Sequence, residues 1–580
     1  MDTKEVHDIA RLPVIVQSDQ TILVEVDNPL YEEARDVLSG FAELLKSPEH
    51  MHTYQLSALS LWNAYAAGLD QDRILPSLAN LSQYPVPETV VQFIKDQQNR
   101  FGRLRLVAAP DQDGLWLTSD DALALTQVSR TKSALPFLGE PLPPGYRVRP
   151  EYRGLIKQAL AKAGWPVNDI AGYEAGAPLS MALADELPDG QPFVIRHYQE
   201  GAVRSFWGQG RLDRGNGIIV LPCGAGKTIV GLGVMELAQT HVLILATSTA
   251  ALHQWQKEIV DKTSLSPSQV GEYSATVKEV RPVTITTYQM LTHRKGDVFP
   301  HFEALDRHPW GLIIYDEVHL LPAPMFRLTA SLQARRRLGL TATLIREDGR
   351  AEDVFALIGP KRFDIPWKSL EQEGWIATAQ CREIRVDLAP TRRESYALAE
   401  DAERVRLAAE NPAKIPVVKA LIEEHRDDHI LVIGQYVSQL EAMSRELSAP
   451  LITGKTPNRE RERLYEEFRK GRVPVLIVSK VGNFAIDLPD ANVAIQISGT
   501  FGSRQEEAQR LGRILRPKRQ GSRATFYSLV SSDTKEQEFA QKRQLFLCEQ
   551  GYRYDIAHAT DQGAPVERLV PVIPFKATQS

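Results

Sequence analysis

A short turn of small residues at positions 221–228, closed by a lysine and a threonine, carries the first recognisable chemistry of this chain of 580 residues. Glycines in the turn let backbone N–H groups approach an anion closely, because no Cβ stands in the way. The lysine can reach the outer phosphates of a nucleotide, and the threonine hydroxyl can ligate Mg²⁺. An apolar run before the turn and a helical pattern after it predict a strand–loop–helix phosphate site. The predicted phosphate-binding residues are Pro222, Cys223, Gly224, Ala225, Gly226, Lys227 and Thr228.

Two carboxylates, Asp316 and Glu317, directly follow an apolar run at 312–315. At the carboxyl end of a buried strand, Asp316 would ligate Mg²⁺ and Glu317 would act on the attacking water. An isolated Asp-Glu pair is also typical of a helix N-cap, but its order and separation from the phosphate loop favour the catalytic interpretation. No second His or Cys lies at ligand spacing from His319, so we interpret His319 as a coupling residue and not as a zinc ligand.

A third chemical element is the run 509–516, which carries Gln509, Arg513 and Arg516 at intervals of four and three residues. On a helix this spacing places the three side chains on one face. Planar guanidinium groups there can bind a γ-phosphate and spread the charge of its transition state. A basic helix facing solvent is the alternative, but the phosphate loop and the carboxylates favour a catalytic role, which we extend to Arg510.

Two long stretches must position these residues, because both alternate short apolar runs with amphipathic helices in the manner of a parallel α/β sheet. The first spans about 191–372 and the second about 373–545. A charged helical insert near 390–412 cannot build a core alone, so it should protrude or cap. Strands are predicted at 218–221, 242–245, 283–286, 312–315 and 338–340 in the first stretch, and at 430–433, 475–478, 493–497 and 525–529 in the second.

The chain before residue 135 is predicted as a separate N-terminal α+β module. Helices followed by a hairpin fit a winged-helix-like element, and a docking domain for protein partners is an equally good interpretation. Residues 135–190 begin with a segment rich in Pro and Gly and are predicted as a linker and a small accessory or DNA-recognition region. Residues 546–580 are predicted as a C-terminal tail. In the N-terminal module, hairpins are predicted at 13–26 and 103–117, and helices at 31–46, 57–68 and 87–98.

Composition adds few constraints on function. The net charge of −5 gives no basic balance that would indicate nucleic acid, although a local groove of Lys and Arg could still bind it. We see no apolar run of roughly eighteen residues, so no membrane partner is expected. The three cysteines stand far apart, which suits a reducing cytoplasm and supplies no four-cysteine cluster. We therefore expect a cytoplasmic protein with no iron–sulfur cluster and no zinc.

The ordered motifs resemble those of superfamily-two helicases. The sequence Asp-Glu-Val-His at 316–319 and Thr-Ala-Thr at 341–343 carry the resemblance, and the run 509–516 matches the sixth motif of that superfamily. Leu221 stands where the strict phosphate-loop pattern has its first glycine, and superfamily-two helicases often have a residue other than glycine at this place. The resemblance implies an α/β protein with two tandem RecA-like parallel-sheet motor domains, preceded by the smaller α+β N-terminal module. It also implies ATP and Mg²⁺ as cofactors.

The same resemblance assigns roles outside the phosphate site. Arg196 and Gln199 look like the glutamine motif that contacts adenine. Other matching positions belong to motifs that follow a DNA strand or couple it to ATP hydrolysis. The residues implied in DNA binding or coupling are Gln254, Trp255, Thr287, Tyr288, His319, Thr341, Thr343, Arg346, Glu347, Asp348, Gly482 and Asp487.

Narrower features are similar to the XPB family of excision-repair helicases. Arg-Glu-Asp at 346–348 looks like an element of that family, and the insert near 390–412 stands where the family has a thumb-like insertion. An exposed, salt-bridged loop is the alternative for the tripeptide. The family implies 3′→5′ unwinding or duplex translocation of forked, overhang or duplex DNA, in DNA repair. It also implies a nucleoid-associated location and a nuclease or other repair protein as a partner.

Three further functions remain compatible with these motifs. A double-stranded DNA translocase with little strand separation shares the motor motifs, and so does an RNA remodeller. A repair scaffold switched by ATP is the third, although the intact carboxylates and arginines argue against a motor without hydrolysis.

Arg346→Ala or Asp348→Ala should slow strand separation more than ATP hydrolysis, because the Arg-Glu-Asp element follows a coupling motif and lies apart in sequence from the phosphate loop. Strand displacement and ATP turnover, measured on the same preparation of each variant, check this expectation. Equal loss of both activities would favour the exposed-loop interpretation of the tripeptide.

Overall fold

The computed structural model describes most of the chain. Two compact units are present, the first formed by Met1–Leu221 with Gly226–Ile365 and the second by Pro222–Ala225 with Pro366–Ser580. In the described parts, no helix is long and apolar enough to cross a membrane. The described residues are 12–47, 50–111, 114–171, 176–210, 215–222, 224–296, 298–321, 334–343, 351–479, 491–499, 523–550, 552, 554–559 and 567–568.

The N-terminal part of the first unit contains two four-stranded sheets. Its strands are β1 (Val14–Val16), β2 (Thr21–Glu25), β3 (Glu43–Lys46), β4 (Met51–Gln55), β5 (Leu104–Ala108), β6 (Leu115–Thr118), β7 (Gly145–Val148) and β8 (Val167–Asp169). Its helices are α1 (Tyr31–Ser39), α2 (Ala58–Ala67), α3 (Gln71–Leu81), α4 (Glu88–Arg100), α5 (Ala122–Arg130) and α6 (Arg153–Lys162). The sheet orders are β1-β2-β4-β3 and β7-β6-β5-β8. Both predicted hairpins are present, since β1 pairs antiparallel with β2 and β5 with β6.

The structure differs from the sequence prediction in two places of this region. The helix predicted at 31–46 ends at Ser39, and β3 takes its place at the end because it pairs antiparallel with β4. The predicted boundary at residue 134 falls inside the second sheet, because β7 pairs with β6 and β8 with β5. Two outer strands of this sheet, β7 and β8, thus lie within the span predicted as a linker and accessory region. With four and three residues, these strands are too short to leave a clear sequence pattern.

The rest of the first unit is a seven-stranded parallel sheet of order β11-β12-β10-β13-β14-β9-β15. Its strands are β9 (Asn216–Val220), β10 (Val242–Ala246), β11 (Val270–Tyr273), β12 (Val283–Thr287), β13 (Leu312–Asp316), β14 (Arg336–Thr341) and β15 (Lys361–Asp364). Its helices are α7 (His197–Trp207), α8 (Lys227–Ala238), α9 (Thr249–Lys262), α10 (Tyr288–Thr292), α11 (Pro300–Asp306) and α12 (Ala351–Ile358). Every residue of β10 and β12 is buried, which explains their continuous apolar or β-branched sequences.

The second unit contains an eight-stranded sheet of order β18-β19-β17-β20-β21-β16-β22-β23, in which only the β22–β23 pair is antiparallel among the described strands. Its strands are β16 (Thr378–Val386), β17 (Ile430–Gly434), β18 (Leu451–Ile452), β19 (Val475–Ser479), β20 (Val493–Gln496), β21 (Arg523–Ser531), β22 (Tyr554–His558) and β23 (Glu567–Arg568). Its helices are α13 (Trp367–Gln372), α14 (Pro390–Leu398), α15 (Asp401–Ala409), α16 (Lys414–Glu424), α17 (Val437–Leu447), α18 (Asn458–Arg469) and α19 (Lys535–Glu549). Two tandem RecA-like parallel sheets behind an α+β module confirm the predicted fold class.

The charged insert near 390–412 forms α14 and α15. No residue of α14 is buried, and Leu398 at its end is 89% exposed. The chain after the insert is anchored by Lys414, whose buried Nζ lies 2.8 Å from Glu536 Oε2 and donates to the carbonyl of Ile497.

The predicted tail boundary at 546 falls within α19, and β22 beyond it pairs with β16. The sheet therefore continues past the predicted end of the domain.

A buried ionic cluster stands in the N-terminal part of the first unit. Asp169 of β8 contacts Arg153 Nη2 at 2.6 Å and Lys157 Nζ at 2.8 Å, and all three side chains are at most 9% exposed. Burial would raise the pKa of Asp169, but the charges of Lys157 and Arg153 outweigh burial and hold that pKa well below its usual range. The cluster therefore fixes α6 on β8.

The N-terminal sheets contact the parallel sheet of the same unit through α6 and α2. Lys162 Nζ at the end of α6 lies 3.3 Å from Asp353 Oδ1 of α12. The rings of Trp62 and Phe355 pack with their centroids 5.7 Å apart, and the backbone N–H of Lys361 donates to Asn63 Oδ1 at 2.9 Å. Because Lys162 of α6 contacts Asp353 of α12, the orientation of α6 on β8 also affects the position of α12.

Asp169→Ala should destabilise the first unit by about 3–5 kcal/mol, because it removes the carboxylate that two buried cations contact. Asp120→Ala is the matched control, since Asp120 is the 82%-exposed partner of Arg105 and its loss should cost about 1 kcal/mol or less. Chemical unfolding of both variants, followed by circular dichroism, measures the difference. Equal small losses would contradict a structural role for the buried cluster.

Candidate active site

The predicted phosphate loop lies between β9 and α8, at the carboxyl end of its strand. Leu221 is buried, and its N–H donates to the carbonyl of Thr341 at 3.0 Å, which joins the start of the loop to the end of β14. Gly224 and Gly226 both have a φ of 81°, a conformation that glycine adopts at little cost. Because α8 begins at Lys227, its first N–H groups have no partner within the helix and suit an anion.

The predicted adenine-contacting motif lies against this loop. A Cβ added to Gly226 would stand 2.4 Å from Nε2 of Gln199, so the amide side chain and the loop are in direct contact. The backbone N–H of Arg196 donates to Oε1 of Gln199 at 3.0 Å, and this bond orients the amide group. The structure therefore brings the residues predicted for adenine and for phosphate together.

Lys227 and Glu317 form the ion pair at the centre of the site. Lys227 Nζ lies 3.1 Å from Glu317 Oε1, and the two side chains are 12% and 19% exposed. Burial raises the pKa of Glu317, but the charges of Lys227 and His319 outweigh burial and lower it below the usual value. Glu317 is therefore ionised at neutral pH. Lys227, at the start of α8, thus has a carboxylate as its anionic partner, and its contact with phosphate stays a prediction.

The backbone at Glu317 is strained. Its φ is 47°, in the left-handed region that costs a residue with a Cβ about 1–2 kcal/mol. The residues that follow, Val318 and His319, are buried in a short helical turn and hold this conformation. Such strain is concentrated at functional positions, where the surrounding structure fixes it.

Asp316, the last residue of β13, has the opposite electrostatic balance. Burial and the adjacent charge of Glu317 raise its pKa to about 6. Trp255 donates its indole N–H to Asp316 Oδ2 at 3.0 Å, and Tyr288 donates its hydroxyl to the Asp316 backbone carbonyl at 2.8 Å. A carboxylate and the hydroxyl of Thr228 are the hard oxygen ligands that Mg²⁺ prefers, and a bound cation would restore the charged form of Asp316. The residues present thus fit the predicted metal.

His319 connects the carboxylates to the Thr-Ala-Thr motif. Its Nδ1 lies 2.6 Å from Thr341 Oγ1 and 3.4 Å from Glu317 Oε2. The hydroxyl of Thr341 donates its one hydrogen to the carbonyl of Thr343, at 2.6 Å, so Nδ1 of the imidazole acts as a donor. A line of polar contacts therefore runs from Glu317 to Thr343. In the described portion of the chain, no group of three His, Cys, Asp or Glu residues stands ready to hold a metal ion.

The residues predicted to contact or couple a strand in this domain differ in exposure. Gln254 is exposed, whereas Trp255 and Tyr288 are each 2% exposed and Thr287 is 6% exposed. Trp255 and Tyr288 therefore present almost no surface to a strand, and of their two predicted roles the geometry fits coupling. The spacing of apolar residues along the sequence could have predicted the burial of Trp255.

On α9, Leu252, Trp255 and Ile259 recur at the three- and four-residue spacing of one buried helix face. The sequence motif alone did not distinguish that buried face from the neighbouring exposed position.

Ten of the predicted site residues lie outside the described residues, and their roles stay predictions: Cys223, Arg346, Glu347, Asp348, Gly482, Asp487, Gln509, Arg510, Arg513 and Arg516.

The parallel sheets, the phosphate loop after β9 and the carboxylate pair after β13 define a motor ATPase of superfamily-two type. Residues 370–570 match the family described as the ERCC3/RAD25/XPB C-terminal helicase. Residues 192–346 match the type III restriction enzyme res subunit, and residues 14–142 match a helicase conserved C-terminal domain.

Relatives match nearly the whole chain. The DNA 3′-5′ helicase XPB of Kineococcus radiotolerans is 50% identical over 563 residues, covering 97% of this chain and 99% of the relative. The protein of the same description from Mycobacterium tuberculosis is 51% identical over 554 residues, covering 95% and 99%. The general transcription and DNA repair factor IIH helicase/translocase subunit XPB/SSL2 of Saccharomyces cerevisiae is 33% identical over 609 residues, covering 93% and 71%. The chain belongs to the XPB family of superfamily-two helicases, as the motifs predicted, and is an ATP-dependent helicase of that type.

Gly226→Ala should weaken ATP binding and lower ATP turnover, because the new Cβ would clash with Nε2 of Gln199 at 2.4 Å. Gly190→Ala is a matched control, since Gly190 has nearly the same φ (80° against 81°) and a Cβ there would meet nothing within 4 Å. Both variants should lose about 1 kcal/mol of stability to backbone strain, and only the first should raise the KM for ATP. An unchanged KM in Gly226→Ala would contradict the contact between Gln199 and the loop.

Proposed function

We propose that this protein is a 3′→5′ DNA helicase that couples the hydrolysis of ATP, with Mg²⁺, to the unwinding or remodelling of DNA in repair. The observation that carries the proposal is the ion pair between Lys227 and Glu317, at 3.1 Å, which joins the phosphate loop to the carboxylate pair. The relatives described as DNA 3′-5′ helicases and as a DNA repair factor support the polarity, the substrate and the process.

In this proposal Lys227 exchanges partners when a nucleotide binds. Its ammonium group would turn from Glu317 to the outer phosphates, and Thr228 and Asp316 would hold Mg²⁺. Lys227 is the largest of the charges that lower the pKa of Glu317, and a Mg²⁺ ion on the neighbouring Asp316 would also favour its ionised form. Glu317, once released from Lys227, would accept a hydrogen bond from the water that attacks the γ-phosphate. The lysine would thus link nucleotide binding to the release of the carboxylate.

The remaining roles follow the sequence motifs. Arg196 and Gln199 are proposed to contact adenine. Gln509, Arg510, Arg513 and Arg516 are proposed to bind the γ-phosphate and spread its developing charge. The residues proposed to bind DNA or to couple it to hydrolysis are Gln254, Thr287, His319, Thr341, Thr343, Arg346, Glu347, Asp348, Gly482 and Asp487.

A second candidate function is translocation along duplex DNA with little strand separation. The yeast relative is described as a helicase/translocase subunit, which favours this alternative. We further propose a cytoplasmic, nucleoid-associated location, and a nuclease or other repair protein as the partner. For the N-terminal module, DNA contact and docking of that partner are both proposed uses.

The full-length protein should hydrolyse ATP faster with forked or 3′-overhang DNA than with RNA of the same sequence, and should displace a strand from a 3′ overhang. Lys227→Ala should lower this turnover by roughly 100-fold, because one phosphate-stabilising charge is lost, and should leave DNA binding without nucleotide unchanged. Lys419→Ala, which removes an exposed Lys–Glu pair of 2.7 Å, should change neither.

A triplex-displacement assay separates the two candidate functions. Displacement of a triplex without separation of a 3′-overhang duplex would favour the translocase. Greater stimulation by RNA would contradict a DNA substrate, and full turnover in Lys227→Ala would contradict the assigned site.

A further inference from the structure

Three adjacent strands bring two helices to the same carboxylate. The order β12-β10-β13 in the sheet places the carboxyl ends of these parallel strands side by side. The helix α9 follows β10, the helix α10 follows β12, and β13 ends at Asp316. Tyr288, the first residue of α10, and Trp255, in the second turn of α9, therefore lie beside the carboxylate proposed to hold Mg²⁺.

Trp255 joins α9 to the side chain of Asp316. Its indole N–H donates to Oδ2 at 3.0 Å, and this polar contact is inside the protein because Trp255 is 2% exposed. The ring also lies close to α8, since a Cβ on Gly231 would stand 2.6 Å from its outer edge. A rigid ring held between two helices fixes the direction from which the carboxylate receives its hydrogen bond.

Tyr288 joins α10 to the backbone of the same residue. Its hydroxyl donates to the carbonyl of Asp316 at 2.8 Å. The neighbouring Gln289 donates from Nε2 to the carbonyl of Thr247 at 3.3 Å, and Thr247 lies in the short segment between β10 and α9. The start of α10 is thus connected to the segment before α9 as well as to Asp316.

Trp255 and Tyr288 each have an exposed glutamine next to them in the chain. Gln254 precedes Trp255 and Gln289 follows Tyr288, and both amide side chains are exposed. A strand that contacts the surface at either glutamine therefore touches a residue whose neighbour is hydrogen-bonded to Asp316. We propose that Trp255 and Tyr288 are positioning residues that hold Asp316 for Mg²⁺ and transmit strand binding at α9 and α10 to it.

This inference rests on the proposed ATP-driven function and assigns its coupling to two specific contacts. A carboxylate in a buried site is sensitive to the direction of each donor, because little water remains to replace a lost hydrogen bond. A small shift of α9 changes the bond to the side chain, whereas a shift of α10 changes the bond to the backbone. Both therefore act on Asp316 directly.

The test removes each donor and keeps its ring. Tyr288→Phe deletes one hydroxyl, and benzothienylalanine in place of Trp255 has sulfur where the indole has N–H. The matched controls alter buried donors of the same domain that bond elsewhere. Tyr273→Phe removes a hydroxyl that contacts His301 Nδ1 at 3.1 Å, and benzothienylalanine in place of Trp310 removes an N–H that donates to the Leu305 carbonyl at 2.7 Å.

Both test variants should lower kcat by about tenfold, the scale of one hydrogen bond to a charged or catalytic group, with a KM for ATP close to wild type. They should also need a higher Mg²⁺ concentration for half-maximal turnover, and DNA should stimulate them less. Affinity for single-stranded DNA, measured by fluorescence anisotropy, should remain at the wild-type value. The controls should keep wild-type Mg²⁺ dependence and stimulation.

Two results would overturn the inference. Weaker DNA binding with unchanged Mg²⁺ dependence would make Trp255 and Tyr288 strand contacts. Kinetics no different from those of the controls, with any loss confined to the melting temperature, would make them packing residues only. Failure of the proposed DNA function is separate, because the wild-type protein would then hydrolyse ATP without DNA stimulation while the Mg²⁺ dependence still tests the positioning role.

Discussion

Two neighbouring carboxylates repel each other, and burial removes much of the water that would screen them, so Asp316 and Glu317 need different partners to coexist at the end of β13. The structure supplies them. Glu317 faces the cation of Lys227, which lowers its pKa, while Asp316 receives the neutral indole N–H of Trp255 and keeps a pKa raised to about 6. When their environments separate the pKa values of two titratable groups in this way, the groups are suited to different chemical roles. The division fits a base at Glu317 and a metal ligand at Asp316.

The backbone makes this division possible. Successive side chains of a strand point to opposite faces, which would separate the two carboxylates. The left-handed φ of 47° at Glu317 breaks the alternation at the end of β13, and Glu317 reaches Lys227 at the start of α8. The strain is held by the buried turn that contains His319, whose ring also contacts Thr341 at the end of β14. The conformation of one residue therefore connects three elements of the sheet edge.

The sequence predicted the central strands well, because burial on both faces leaves unbroken apolar runs such as 312–315. It missed β16, whose nine residues include charged side chains: Glu383 is 1% exposed only because Gln544 donates to it and Arg385 pairs with it. Such partners come from distant parts of the chain and leave no local pattern. The same limit hid β7 and β8, whose place depends on pairing with β6 and β5.

For the candidate site, the motifs located the residues, but the packing decided what each one contacts. The resemblance grouped Gln254 with Trp255 as one strand-following motif, yet adjacent positions on a helix face different directions. One amide is exposed, and the neighbouring indole reaches Asp316. Residue identity and spacing show that two residues belong to one motif. The direction of each side chain depends instead on which face of the helix packs against the sheet.

Aromatic residues with one donor are well suited to link the exposed helix surface at Gln254 and Gln289 to the partly buried carboxylate of Asp316. A lysine in the place of Trp255 would add a charge that burial penalises and would compete with Lys227 for the carboxylates. An indole or phenol buries a large apolar body and directs a single N–H or O–H with few rotatable bonds. Because Trp255 contacts the side chain and Tyr288 the backbone of Asp316, α9 and α10 act on separate atoms of one residue. Two helices that each carry a predicted strand contact therefore reach the same predicted metal ligand through different atoms.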